Sequence, residues 1–78
     1  MRNEINSNDL ERVTGGTVYL NEMRNMCGFD TLGEKYELKC DFADARNTLF
    51  SLMAQYPDMG ERQFDTLVRD TYRDNGWI

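Results

Sequence analysis

The sequence predicts a mainly α fold: a small helical domain with a C-terminal αα-hairpin over about 41–56 and 59–75, a short helix near 18–27 and a weak strand near 34–40. Two observations carry most of this. Apolar residues recur every three or four positions in two successive segments, Phe42, Ala45, Leu49, Leu52, Met53 and Tyr56, then Phe64, Leu67, Val68 and Tyr72. Such spacing paints one face of an amphipathic helix. The only proline of the chain, Pro57, stands between the two segments in "YPDMG", where it disfavours helical backbone for the residue before it.

The elements follow in chain order. In "LNEMRNMCGF", Leu20, Met23 and Cys27, or Met26, fall on one helical face and Gly28 stands as a stop, so a short helix, in competition with a loop, is expected there. "EKYELKC" alternates, with Tyr36, Leu38 and Cys40 on one side and Lys35, Glu37 and Lys39 on the other, which predicts a half-buried strand with "TVYL" as its partner. Asp41 is placed to cap the first long helix. Asp58 followed by Glu61 has the spacing of a capping box, and Asn75-Gly76 supplies a left-handed stop for the second. Trp77 and Ile78 are expected to fold back onto its apolar face.

Composition narrows the function. A chain of 78 residues builds at most one small domain with a thin core, which leaves little room for a buried active site. Net charge is −5 and the nine basic residues are scattered singly, so the electrostatic footprint of a nucleic-acid binder is missing and anionic membranes repel the chain. No apolar run approaches the ~20 residues of a membrane span, so stable membrane insertion is not expected, nor is there the apolar core of an ordinary secretory signal peptide. Histidine is absent, which removes the usual general base of a Ser or Cys nucleophile and the commonest nitrogen ligand for zinc. An enzyme is not expected, and neither a cofactor nor a metal.

Cys27 and Cys40 are the only cysteines, and their spacing fits no zinc or CxxC redox pattern. They are either a disulfide pair, which over a loop of this size contributes about 3 kcal/mol, or two small buried hydrophobes. The carboxylate pairs Asp41 with Asp44, Glu34 with Glu37, and Asp70 with Asp74 each have a cation close by and read as solvated faces and caps.

The segment "INSNDLERVTGG", Ile5 to Gly16, holds the one adjacent glycine pair. Ile5, Asp9-Leu10, Val13 and Gly15-Gly16 resemble the double-glycine leader of bacteriocins and related secreted bacterial peptides, in which an acidic-aliphatic pair, an aliphatic residue three further on and two glycines recur. Asn6 stands where serine is common and Asp9 where glutamate is more usual. The resemblance covers residues 1–16 only. It implies docking through Ile5, Asp9, Leu10 and Val13 onto the papain-like cysteine peptidase domain of a peptide-exporting ABC transporter, with cleavage after Gly16.

The spacing suits that role. Leu10 and Val13 share a face if the segment turns helical, and so short a helix is stable only against a groove. Two residues without Cβ let the backbone enter a narrow cleft in extended form. Residues 1–16 are then a flexible leader and 17–78 a small helical cargo domain, made in the cytoplasm and secreted. The released part carries eleven acidic and seven basic side chains, a net charge of −4, unlike cationic peptides that permeabilise anionic membranes. A signalling peptide or a narrow-target antimicrobial with its own target protein fits better.

The alternative keeps the chain whole in the cytoplasm. Ser7 or Asn8 would cap a helix stopped at Gly15 and packed on the hairpin, and the domain would be an interaction or regulatory module that offers Trp77, Tyr72 or its five methionines to a partner protein.

Overall fold

The computed structural model describes the backbone of residues 12–15 and, with side chains, residues 17–78. Four strands, β1 (Arg12–Gly15), β2 (Val18–Asn21), β3 (Met26–Phe29) and β4 (Glu34–Glu37), precede two helices, α1 (Phe42–Gln55) and α2 (Glu61–Asp74). The strands form one antiparallel meander in the order β1-β2-β3-β4. The fold is therefore mixed, an antiparallel sheet with helices, and the mainly α expectation is corrected. The two long helices lie close to the expected spans, but they do not bury their stripes only against each other: the sheet supplies the other half of the core.

Register explains why the helix expected near 18–27 is a hairpin. Leu20 pairs with Cys27 and Val18 with Phe29, so all four side chains project from one face of the sheet, and all four are essentially inaccessible to solvent. The polar run between them forms the turn. Asn25 takes a positive φ of 52°, a conformation asparagine tolerates better than most residues. Its Nδ2 donates to the carbonyls of Leu38 and Cys40 at 3.2 and 3.1 Å, tying the turn to the chain after β4. Met23, which the helical reading put on the apolar face, sits at the exposed tip of the turn. "TVYL" accordingly pairs with β3, not with β4.

On the opposite face Tyr19, Gly28 and Lys35 are register neighbours across three strands. The Tyr19 ring lies over Gly28, where an added Cβ would fall 2.2 Å from the ring. A glycine is required there by close approach, not as a helix stop.

Both helices lean on the face that carries Val18, Leu20, Cys27 and Phe29. Ala45 and Leu49 of α1 and Phe64, Val68 and Tyr72 of α2 complete the core with Leu38. Burying each of the larger side chains contributes about 1.5–3 kcal/mol. Tyr72 sits at the junction. It is fully buried, its hydroxyl donates to the Ala45 carbonyl at 2.6 Å, and its ring meets those of Phe29 and Trp77.

The helix ends differ from expectation in detail. Asp41 occupies the N-cap position of α1, but its side chain makes no cap hydrogen bond. The N-cap of α2 is Gly60, so Asp58 is part of the turn and no capping box forms. Gly76 takes a φ of 78° after Asn75, the left-handed stop the sequence indicates. Beyond it the chain turns back: the Trp77 amide donates to the Tyr72 carbonyl, and the Trp77 carbonyl accepts from the Lys39 amide at 2.8 Å.

Candidate functional site

The residues that close the sheet at the Gly15 end form the most organised polar cluster in the described structure. Gly15 pairs with Val18, and Thr17 stands in the turn that leads into β2. The ladder continues past β2, since the Asp30 amide donates to the Thr17 carbonyl at 2.9 Å. The β1–β2 turn and the β3–β4 turn therefore lie side by side. Above them, from the first turns of α2, projects Asp65.

Asp65 is fully buried. Thr17 Oγ1 donates to its Oδ1 at 2.5 Å, and Thr31 donates to its Oδ2 through both the amide, at 3.0 Å, and the hydroxyl. Arg62, one turn earlier on α2, passes the carboxylate by and donates to the Thr31 carbonyl at 3.1 Å. Among the described residues no lysine or arginine pairs with Asp65. The helix is thus held to two turns by one carboxylate supported by hydroxyl and amide donors. A cleft of about 310 Å³, lined by Met53, Tyr56, Met59 and Phe64, opens beside Thr17.

Charged side chains hold the other end of α2. Arg69 pairs with Glu34 at 3.3 Å, Tyr36 donates its hydroxyl to the same carboxylate at 2.8 Å, and Arg73 reaches the Tyr36 hydroxyl. The Tyr36 hydroxyl first, then Arg69, hold Glu34 below the usual carboxylate range, and the same bond pushes Tyr36 up. The network fastens edge strand β4 to α2 and has the form of a surface ion-pair cluster. Glu34 is bound to Tyr36 and Arg69, and Asp70 is paired with Arg69. Among the described residues no group of three or more metal-binding side chains gathers, and no helix is long and apolar enough to cross a membrane.

Of the positions singled out by sequence, Ile5, Asp9, Leu10 and Gly16 lie outside the described residues. Val13, read on a helical face with Leu10, is instead in β1, opposite Leu20, and Gly15 is the last residue of that strand. Tyr72 is buried and Trp77 half-buried; among the described residues the exposed large apolar side chains are Met23, Phe50 and Tyr56. Asp65, Thr17 and Thr31 were not singled out. The signal for Asp65 was its phase: it precedes Val68 by three and Tyr72 by seven, which puts an acid in the apolar stripe.

Cys27 and Cys40 are free thiols, the first buried and the second half-buried. Burial, followed by the neighbouring Cys40, pushes the Cys27 thiol up to about 12 from an ordinary value of 9.0. Unfolded, the thiol ionises near that ordinary value, so between it and about 12 only the folded chain retains the proton. Stability is therefore expected to fall as pH rises above about 9, by at most about 1.4 kcal/mol per pH unit from this group. Burial pushes Tyr72 up as well, which adds to the alkaline loss. Urea midpoints at pH 7, 9 and 10.5 measure it. Cys27→Ala should flatten the slope, and an equal slope in both chains would remove Cys27 as its source.

Fold and site together define a small antiparallel α+β protein whose most buried polar group fastens a helix to two hairpin turns. Comparison with protein-family models, with curated proteins and with solved structures finds no match for the chain.

Proposed function

We propose that the chain is a precursor of a secreted peptide, with residues 1–16 as a double-glycine leader that an exporter's cysteine peptidase domain removes after Gly16. Ile5, Asp9, Leu10 and Val13 dock the leader, and the chain is the substrate, not the enzyme. The observation that carries the reading is the arrangement of Ile5, Asp9-Leu10, Val13 and Gly15-Gly16 at the spacing of such leaders. One structural fact supports it: β1, the strand that precedes the cut, lies at the edge of the sheet, so it peels away without separating interior strands.

One observation favours the second reading, an interaction module that retains its N-terminus. Arg12–Gly15 pairs with β2 along its whole length, as a permanent part of the sheet would. Mass spectrometry after incubation with a double-glycine-type peptidase domain separates the two. A product starting at Thr17, lost in Gly16→Val and Leu10→Asp, is the expected result. An intact chain under conditions that process a control leader sinks the precursor reading in favour of the module.

A further inference from the structure

We infer that Asp65 is the docking site for the α-ammonium that cleavage creates at Thr17, so that removal of the leader locks the released domain. The inference rests on the proposed cleavage after Gly16. Hydrolysis adds water across the Gly16–Thr17 amide: oxygen goes to the Gly16 carbonyl carbon, leaving a carboxylate, and the Thr17 nitrogen departs with protons as an ammonium. That cation is born beside a fully buried carboxylate that has no cationic partner among the described residues.

The hydroxyl bond already holds Thr17 against Asp65. Thr17 carries its amine and its hydroxyl on adjacent carbons, and the hydroxyl donates to Asp65 Oδ1 at 2.5 Å. Among the described residues Oδ1 takes this one bond, whereas Oδ2 is engaged twice by Thr31. A carboxylate oxygen accepts more than one donor, so Oδ1 has capacity for the ammonium. In the uncut chain the Thr17 nitrogen is a neutral amide in the turn before β2. Cutting frees it to rotate and gives it charge, and a charge-assisted bond is about twice as strong as a neutral one. Breaking a buried pair, in turn, is strongly destabilising. The partner recognised here is the chain's own new terminus, and the consequence is a released domain fastened at the point where β1 was lost.

The test generates the same terminus without the exporter's peptidase. Val13→Ile, Thr14→Glu and Gly16→Arg place Ile-Glu-Gly-Arg directly before Thr17, for cutting by a protease specific for that tetrapeptide. The cut chain is acetylated with an N-hydroxysuccinimide ester at pH 7 and mapped by mass spectrometry, with exposed Lys35 and Lys39 as internal standards. The Thr17 amine should react at least tenfold more slowly in native buffer than in urea, and Asp65→Asn should abolish the protection. Equal rates in the two solvents overturn the inference. A second measurement needs no Asp65 variant: the cut chain, acetylated at Thr17 in urea and refolded, should melt about 4–8 °C below the free-amine form. Unchanged melting overturns the inference equally. Because the cut is made by an unrelated protease, failure of the leader reading shows only in the processing assay and failure of the ion pair only here.

Discussion

Tyr72→Ala is expected to lower the stability of the chain by roughly 3–5 kcal/mol, the range for deleting a buried aromatic ring. A domain of this size has about 4–12 kcal/mol in total, so the substitution removes from about a quarter of that stability to all of it. The size of the effect follows from position. Tyr72 is fully buried, packs edge-on to Phe29 of β3 and against Trp77, and bonds through its hydroxyl to Ala45 of α1. One side chain of α2 therefore joins the sheet, the other helix and the returned C-terminus. Tyr72→Phe keeps the ring and loses only the hydroxyl bond, and the Ala45 carbonyl retains the helical partner that α-helix geometry gives it. It should cost about 1 kcal/mol. Urea denaturation with a common slope measures both. A loss in Tyr72→Phe as large as in Tyr72→Ala would mean that the hydroxyl bond, not the packing of the ring, holds the junction.

The helices were legible because their apolar positions recur over four turns, enough repeats for one period to exclude the other. Residues 18–29 carry too few. Leu20, Met23 and Cys27 satisfy a helical spacing, but Val18 with Leu20 and Cys27 with Phe29 satisfy a strand spacing equally well. What decides between them is pairing across the turn, Leu20 with Cys27 and Val18 with Phe29, which is a tertiary fact. Gly28 misled for the same reason: its lack of a side chain serves the Tyr19 ring, and nothing local distinguishes that from a helix stop. The cap at Asp58 failed because Pro57 and Asp58 form a turn and the N-cap of α2 falls two residues later, at Gly60. Asp65 was half legible. Its phase put it in the stripe, but that it is satisfied by Thr17 and Thr31, 48 and 34 residues away, is set by the meander that brings two turns under one helix.

The same cluster is expected to govern how fast the leader is removed, if the folded chain is offered to the peptidase. A narrow cleft takes extended backbone, whereas here Gly15 is paired with Val18, the Thr17 carbonyl is bonded to Asp30 and the Thr17 hydroxyl to Asp65. Cleavage then proceeds through a minor population in which this end of the sheet is open. When opening and closing are fast, its rate follows the open fraction. Asp65→Asn weakens a hydrogen bond to a charged group worth about 1.5–3 kcal/mol. The open fraction, and with it the cleavage rate, should rise about 10- to 100-fold. Leu49→Val supplies the control, because it loosens the core from α1 without touching the turns. A rate increase confined to Asp65→Asn means that the hairpin opens locally. Equal increases, once matched for loss of global stability, would mean that the peptidase acts only on the unfolded chain. In that case Asp65 acts on processing through overall stability alone, and the chain must meet its exporter before it folds.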